Sequence, residues 1–352
     1  MREEESVSSL EIFLPTTHIG SLPFTEVEKA LEISLSFDIP AWPQLPKFKD
    51  EGMIWQFVRS FPGFHFEKER ILLDSGTFEE ELVNFYETYV EIKENNRLDL
   101  LKRFWEDSSS RAFIPFIERL RTKKPPLTKG QITGPFTLGT TLKTKEGECI
   151  IFREDLRDLL IKFVTLKALA QSMFLKEVSS KVIVFLDEPG LAGFGSSSYI
   201  TLGKELVQNM LNEIFEALHS FDIMTGVHIC ANTSWDLVLE TQVKIVNFDN
   251  FSYFDRFIIY ADSLSKFLQR DDTFIAWGTV PTDIALLEAT NREEILERFT
   301  KQLTTTAQKL NMDLQNILKR SLITPACGMG SLPEKAVGKV INLLNSIKLA
   351  FK

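Results

Sequence analysis

The chain has 352 residues, 44% hydrophobic and 25% charged, with a formal net charge of -9 at pH 7. That size and composition fit one large α/β barrel or two ordinary domains and supply a sizeable core. An acidic chain without a basic block argues against a nucleic-acid partner, and no apolar run reaches the roughly 18 residues of a membrane span.

Residues 1–15 read as a loose N-terminal arm, and residues 16–352 as a single barrel domain. The start, Met1-Arg2-Glu3-Glu4-Glu5, lacks the apolar centre of a secretory signal. Thr16 to Pro23 holds a strand end and a tight Gly20-Ser21 turn, and a helix is predicted near 25–36. Ile39 to Pro46 carries three prolines, which exclude a helix and favour extended chain. Phe64 to Leu73 suits a small hairpin. A helical region over about 78–120, broken near Asp107-Ser108-Ser109-Ser110, reads as an insertion on the barrel. Leu127 to Gly139 reads as a strand ending in a Gly134-Pro135 loop. From 153 to 178, Leu156, Leu159, Leu160, Phe163, Leu166 and Leu169 recur at helical spacing. Lys181 to Leu186 is continuous and β-branched, the mark of a strand buried on both faces, and it ends in Asp187-Glu188-Pro189-Gly190. A helix at 203–220 precedes the apolar run Gly226 to Asn232, and another begins at Ser234. Further strands are predicted at Lys244 to Asp249, at Phe274 to Pro281 and before Cys327, with helices at 291–310 and 333–349. The alternation of apolar strand, polar or Gly/Pro loop and amphipathic helix predicts an α/β fold. Its parallel sheet would close as a (β/α)8 TIM barrel, with eight or nine strand candidates for eight places.

His228 and Cys230 stand two residues apart in Gly226-Val227-His228-Ile229-Cys230-Ala231-Asn232, in a chain with only four His and three Cys. On a strand, residues i and i+2 point the same way, so imidazole and thiol face one point. Cys327 sits on a similar run, Thr324-Pro325-Ala326-Cys327-Gly328-Met329-Gly330, and supplies a third ligand. Three such ligands leave one coordination position open, the pattern of catalytic zinc. Free cysteines also pack as small hydrophobes, and Cys149, beside Gly147-Glu148, is read that way. With two of the three cysteines assigned to metal, the expected compartment is reducing and cytoplasmic.

Ser21, Gln44, Thr133, Asp187, Glu188, His228, Cys230, Asp249 and Cys327 all fall at the C-terminal ends of predicted strands. In a (β/α)8 barrel that face holds the active site. Asp187-Glu188-Pro189 reads either as a substrate contact or as an anion at a helix N-terminus with Pro in its first turn. Ser21 reads as a substrate contact or as a turn residue. His18, Trp42 and Trp277 are expected to pack in the core, and His65 and His219 to lie at the surface or on helices.

Thr17-His18-Ile19-Gly20-Ser21, Asp187-Glu188-Pro189-Gly190-Leu191, His228-Ile229-Cys230 and Pro325-Ala326-Cys327-Gly328 together resemble the C-terminal catalytic barrel of cobalamin-independent methionine synthases, over about residues 15–345. The chain is also similar to zinc methyltransferases that move methyl groups from corrinoid proteins to coenzyme M, which His228 to Thr233 matches closely. Both groups share a superfamily with uroporphyrinogen decarboxylase. The resemblance implies Zn²⁺ held by His228, Cys230 and Cys327, with Asp249 at the place of the synthases' fourth, glutamate, ligand. It implies that Ile19, Gly20 and Ser21 bind the homocysteine carboxylate. Asp187, with Glu188 beside it, would bind the amine, and Gln44 would lie near that amine. The synthases are about twice this length, and their extra half helps hold a folate. A single acidic barrel is therefore expected to take its methyl group from methylcobalamin on a corrinoid partner protein.

The function expected on this basis is zinc-dependent methyl transfer from a corrinoid protein to a thiol, homocysteine giving methionine. Asp187, His228, Cys230 and Cys327 would be the catalytic residues. Two thiolates and one neutral imidazole offset the charge of Zn²⁺, so an acceptor thiolate keeps its electron density. The alternatives are coenzyme M or another small thiol as acceptor, a metal-free decarboxylase, and a non-catalytic zinc- or corrinoid-binding protein. The decarboxylase would need arginines that Ile19 to Pro46 lacks.

Overall fold

The computed structural model describes residues 12–65, 68–73, 76–106 and 110–351. A two-residue antiparallel pair, β1 (Phe64–His65) and β2 (Arg70–Ile71), forms the expected hairpin outside the main sheet. The main sheet is parallel and runs in chain order: β3 (Leu127–Thr133), β4 (Lys181–Asp187), β5 (Ile223–Ile229), β6 (Ile245–Phe248), β7 (Phe274–Val280) and β8 (Ser321–Pro325). Among the described residues the sheet therefore has six regular strands, where eight were expected. Two extended segments adjoin the edge strands of this sheet through isolated bridges. Thr16 bridges Ile323 of β8, and Ala41 bridges Lys129 of β3. Ile39 N donates to Thr16 O at 3.0 Å, which joins the two segments to each other. Pro40 and Pro43 have no N–H to give, so this stretch cannot form a continuous ladder.

Both faces of the curled sheet are covered, which is why its strands read as unbroken apolar runs. Alternate side chains Leu127, Ile183, Phe185, Ile245, Phe274, Ala276 and Leu322, with Ile39, form a cluster of their own on the inner face. Their neighbours Val182, Val184, Leu186, Val227, Val246, Ile275 and Ile323 point the other way, into the core shared with the helices. Gly226 on β5 is required by this packing, because a Cβ there would come within 2.2 Å of the Phe185 ring.

Helix Glu154–Lys176 follows the predicted periodicity and buries Leu156, Leu159, Leu160, Phe163, Leu166 and Leu169. Helices Phe78–Asn95, Asp99–Glu106 and Phe113–Lys123 occupy the expected helical region, and the rings of Phe85 and Phe104 pack on Phe163 at 6.2 and 5.4 Å. The predicted break at 107–110 lies outside the described residues except for Ser110. So does most of the predicted N-terminal arm, but its end is docked: Leu14 is buried, and Pro15 O accepts from Ile323 N at 3.0 Å. The Gly134-Pro135 loop is instead the start of helix Pro135–Thr141, with Pro in the first turn where its missing N–H costs nothing. Helices Asn250–Phe257 and Ala261–Gln269, between β6 and β7, were not foreseen. No helix among the described residues is long and apolar enough to cross a membrane.

Candidate metal centre

At the C-terminal ends of the strands lies a cavity of about 430 Å³. Its walls include Ile19, Ser21, Gln44, Asp187, His228, Cys230 and Cys327. His228 is the penultimate residue of β5, Cys230 follows the strand end, and Cys327 lies two residues beyond β8. Their donor atoms all lie within 4.8 Å of one another. A tetrahedral zinc with ordinary Zn–S and Zn–N bonds sets its ligands about 3.5–3.8 Å apart, so small side-chain movements close the group on an ion.

The protonation of the three groups fits the same role. Cys327 donates to the sulfur of Cys230 and, against the opposing effect of burial and with help from His228, holds the Cys230 thiol well below its ordinary range. Cys327 is pushed up by that donation and by burial. Burial lowers His228, but Cys230 and Asp187 outweigh it and raise the imidazole overall. A thiolate facing a thiol and an imidazole is a site in which a cation can take the place of shared protons. His228 Nε2 is buried without a hydrogen-bond partner, while its Nδ1 is bonded to Asn247 Oδ1. The residues present therefore fit a zinc ion: an orphaned imidazole nitrogen and two sulfurs beside an open cavity.

The carboxylates divide. Asp187, at the end of β4, lines the cavity, and its Oδ1 is buried without a partner. Burial pushes its pKa up to about 6, opposed by His228 and Lys129. Glu188 faces away from the cavity and receives Phe136 N at 2.9 Å, Thr137 N at 2.7 Å and Thr137 Oγ1 at 2.6 Å. It caps helix Pro135–Thr141, and burial is the main cause that raises it to about 7. Asp249 lies outside the three-donor group and caps helix Asn250–Phe257 by accepting from Ser252 N at 2.8 Å.

The Gly20 turn sits beside these groups. Gly20 has φ of 147°, and a Cβ there would come within 2.7 Å of the Gln131 amide carbon. Ser21 O accepts from Met329 N at 2.9 Å, which ties this turn to the loop that follows Cys327. Gln44 donates to Gln56 Oε1 at 2.6 Å. Thr133 is turned from the cavity and donates to Met53 O at 2.5 Å. His18 is packed, as expected: it is fully buried, Nε2 bonds Ala41 O at 3.1 Å, and burial lowers its pKa to about 3. Trp42 and Trp277 are likewise buried in the core.

Two polar residues that sequence reasoning passed over complete the surroundings. Lys129 is wholly buried on β3, donating to Ile19 O at 2.8 Å and to Gln131 Oε1 at 3.1 Å. Its signal was a lysine in a strand that otherwise reads as buried. Asn247 on β6 is fully buried against His228, and it stands two residues before Asp249 in an apolar run.

No known family description and no curated protein matches the sequence. The structure is similar to a solved B12-independent methionine synthase from Shewanella sp. W3-18-1 in complex with selenomethionine. The TM-score is 0.55 at 15% identity, covering 97% of this chain and 98% of that one. At that identity the likeness concerns the fold.

Proposed function

We propose that this protein is a zinc-dependent methyltransferase whose acceptor is a small thiol, with homocysteine, giving methionine, as the acceptor that fits best. The observation that carries the reading is the His228, Cys230 and Cys327 group on the wall of a cavity that also presents the unpartnered Oδ1 of Asp187. Zinc, when bound, would lower the proton affinity of an acceptor thiol so that it reacts as a thiolate at neutral pH. His228 and the two cysteines hold the ion. Asp187 offers a buried anion to a cationic group on the acceptor, which an aminothiol has and coenzyme M lacks. Ser21 and the Gly20 turn offer a hydroxyl and backbone groups to a carboxylate on the same molecule.

The donor separates two readings. The likeness of His228 to Thr233 to zinc methyltransferases that take methyl groups from corrinoid proteins supports methylcobalamin on such a partner. The Shewanella neighbour, matched over 98% of its own length, is described as B12-independent, which supports a donor without a corrinoid. An assay with free methylcobalamin as methyl source chooses between them.

The test of the acceptor is zinc X-ray absorption on the purified protein, alone and with homocysteine or coenzyme M. The resting site is expected to show two sulfurs and one imidazole nitrogen. An added sulfur at about 2.3 Å with homocysteine alone supports the assignment. The same change with coenzyme M alone moves the acceptor to that class. Absence of zinc, or indifference to both thiols, refutes thiol activation at this site.

A further inference from the structure

The hydrogen bonds around Asn247 form a chain with one consistent direction. Asn247 Nδ2 lies 2.7 Å from the carbonyl oxygen of Ala276 and 2.9 Å from Thr324 Oγ1. A carbonyl can only accept. The Thr324 hydroxyl spends its proton on Pro325 O at 2.8 Å, so toward Asn247 its oxygen also accepts. Both contacts demand the NH₂ end of the amide. Turning the amide over would set Oδ1 against two acceptors in a site with no solvent exposure. Oδ1 therefore faces His228 Nδ1, which must carry the hydrogen. The bare nitrogen of the neutral ring is then Nε2, the buried atom without a hydrogen-bond partner.

We infer that Asn247 is a positioning residue that sets the tautomer and ring orientation of His228, presenting Nε2 to a metal ion. The direction of the chain is set at β7 and β8, by a backbone carbonyl and a threonine, and reaches the imidazole on β5 through the amide on β6. Such partners keep an imidazole from having to reorganise when the ion arrives, and their loss weakens metal binding by about 10–100-fold. The inference rests on the metal-site reading above but not on methyl transfer.

The test has two readouts. Long-range ¹H–¹⁵N spectra of the metal-free wild-type protein, at alkaline pH where the ring is neutral, report the tautomer directly. The His228 signals are assigned by their loss in His228→Gln. A pyrrole-type Nδ1 and a pyridine-type Nε2 are expected, and the reverse overturns the inference whatever the variants do. Competition with a chromophoric chelator then gives zinc affinity for wild type and Asn247→Leu. Asn247→Leu is expected to lose about 10–100-fold. Equal affinity in wild type and Asn247→Leu refutes the inference and leaves the metal site standing. No zinc binding by wild type removes the metal reading, and this inference with it.

Discussion

Lys129→Met should change how stability depends on pH: relative to wild type, the variant should lose ground as the pH rises from neutral. The side chain of Lys129 is wholly buried, with Ile19 O and Gln131 Oε1 as its hydrogen-bond partners among the described residues and the Phe185 ring 4.6 Å beneath it. Burial lowers its pKa from 10.5 to about 7, opposed only by Asp187. Between those values the unfolded chain binds a proton that the folded chain has released, so stability rises with pH. The slope from this one group reaches about 1.4 kcal/mol per pH unit. From about pH 7.5 to about pH 9.5 it contributes roughly 2 kcal/mol. Methionine fills a similar volume and removes this contribution. It also leaves the two acceptors unpaired, at about 1–3 kcal/mol each, but that cost does not depend on pH. The assay is urea unfolding of wild type and variant at several pH values in that range. The difference in unfolding free energy should change by roughly 2 kcal/mol across it, with wild type gaining on the variant as pH rises. Parallel pH profiles would refute the reasoning and show that Lys129 stays protonated in the native state across this range.

Cys230→Ser and Cys327→Ser should each abolish tight zinc binding, measured by metal analysis after dialysis, while the metal-free proteins keep a wild-type circular dichroism spectrum. Retention of stoichiometric zinc in either variant would remove that residue from the ligand set. Gly226→Ala should destabilise by about 3 kcal/mol, because its new methyl overlaps the Phe185 ring, and adding Phe185→Leu should recover most of that loss in denaturant titrations. Glu188→Leu leaves three donors without their acceptor and should cost about 3 kcal/mol or more in thermal unfolding. Thiol binding to the folded Glu188→Leu protein should survive; selective loss of it would place Glu188 in the substrate site. Asp187→Asn should weaken homocysteine binding, read by calorimetry on the zinc-loaded protein, and leave 3-mercaptopropionate, which has no amine, unchanged. An equal effect on both thiols would show that Asp187 does not select an ammonium group.

The sequence by itself determined the parallel α/β architecture and the three soft donors. Strands buried on both faces advertise themselves as unbroken apolar runs, as Lys181 to Leu186 does. A His-x-Cys pair and a distant Cys before Gly are rare enough to be noticed without any contact information. Spacing also placed Asp187 at a strand end, where the structure brings its carboxyl to the cavity wall. Other features were decided only in three dimensions. Glu188 follows Asp187 directly, yet backbone alternation turns it outward, and three donors from helix Pro135–Thr141 take up its oxygens. Asp249 reads as a ligand by position, and only the structure shows that one of its oxygens caps helix Asn250–Phe257 by accepting from Ser252 N. Which segments adjoin the edges of the sheet was equally illegible, because Thr16 and Ala41 are held by single bridges that no run of apolar residues signals. Lys129 and Asn247 owe their roles to partners on other strands or segments, more than a hundred residues away for the Lys129 contact to Ile19. Local periodicity records which face of a strand is buried; it does not record which polar atom waits on a neighbouring strand or segment.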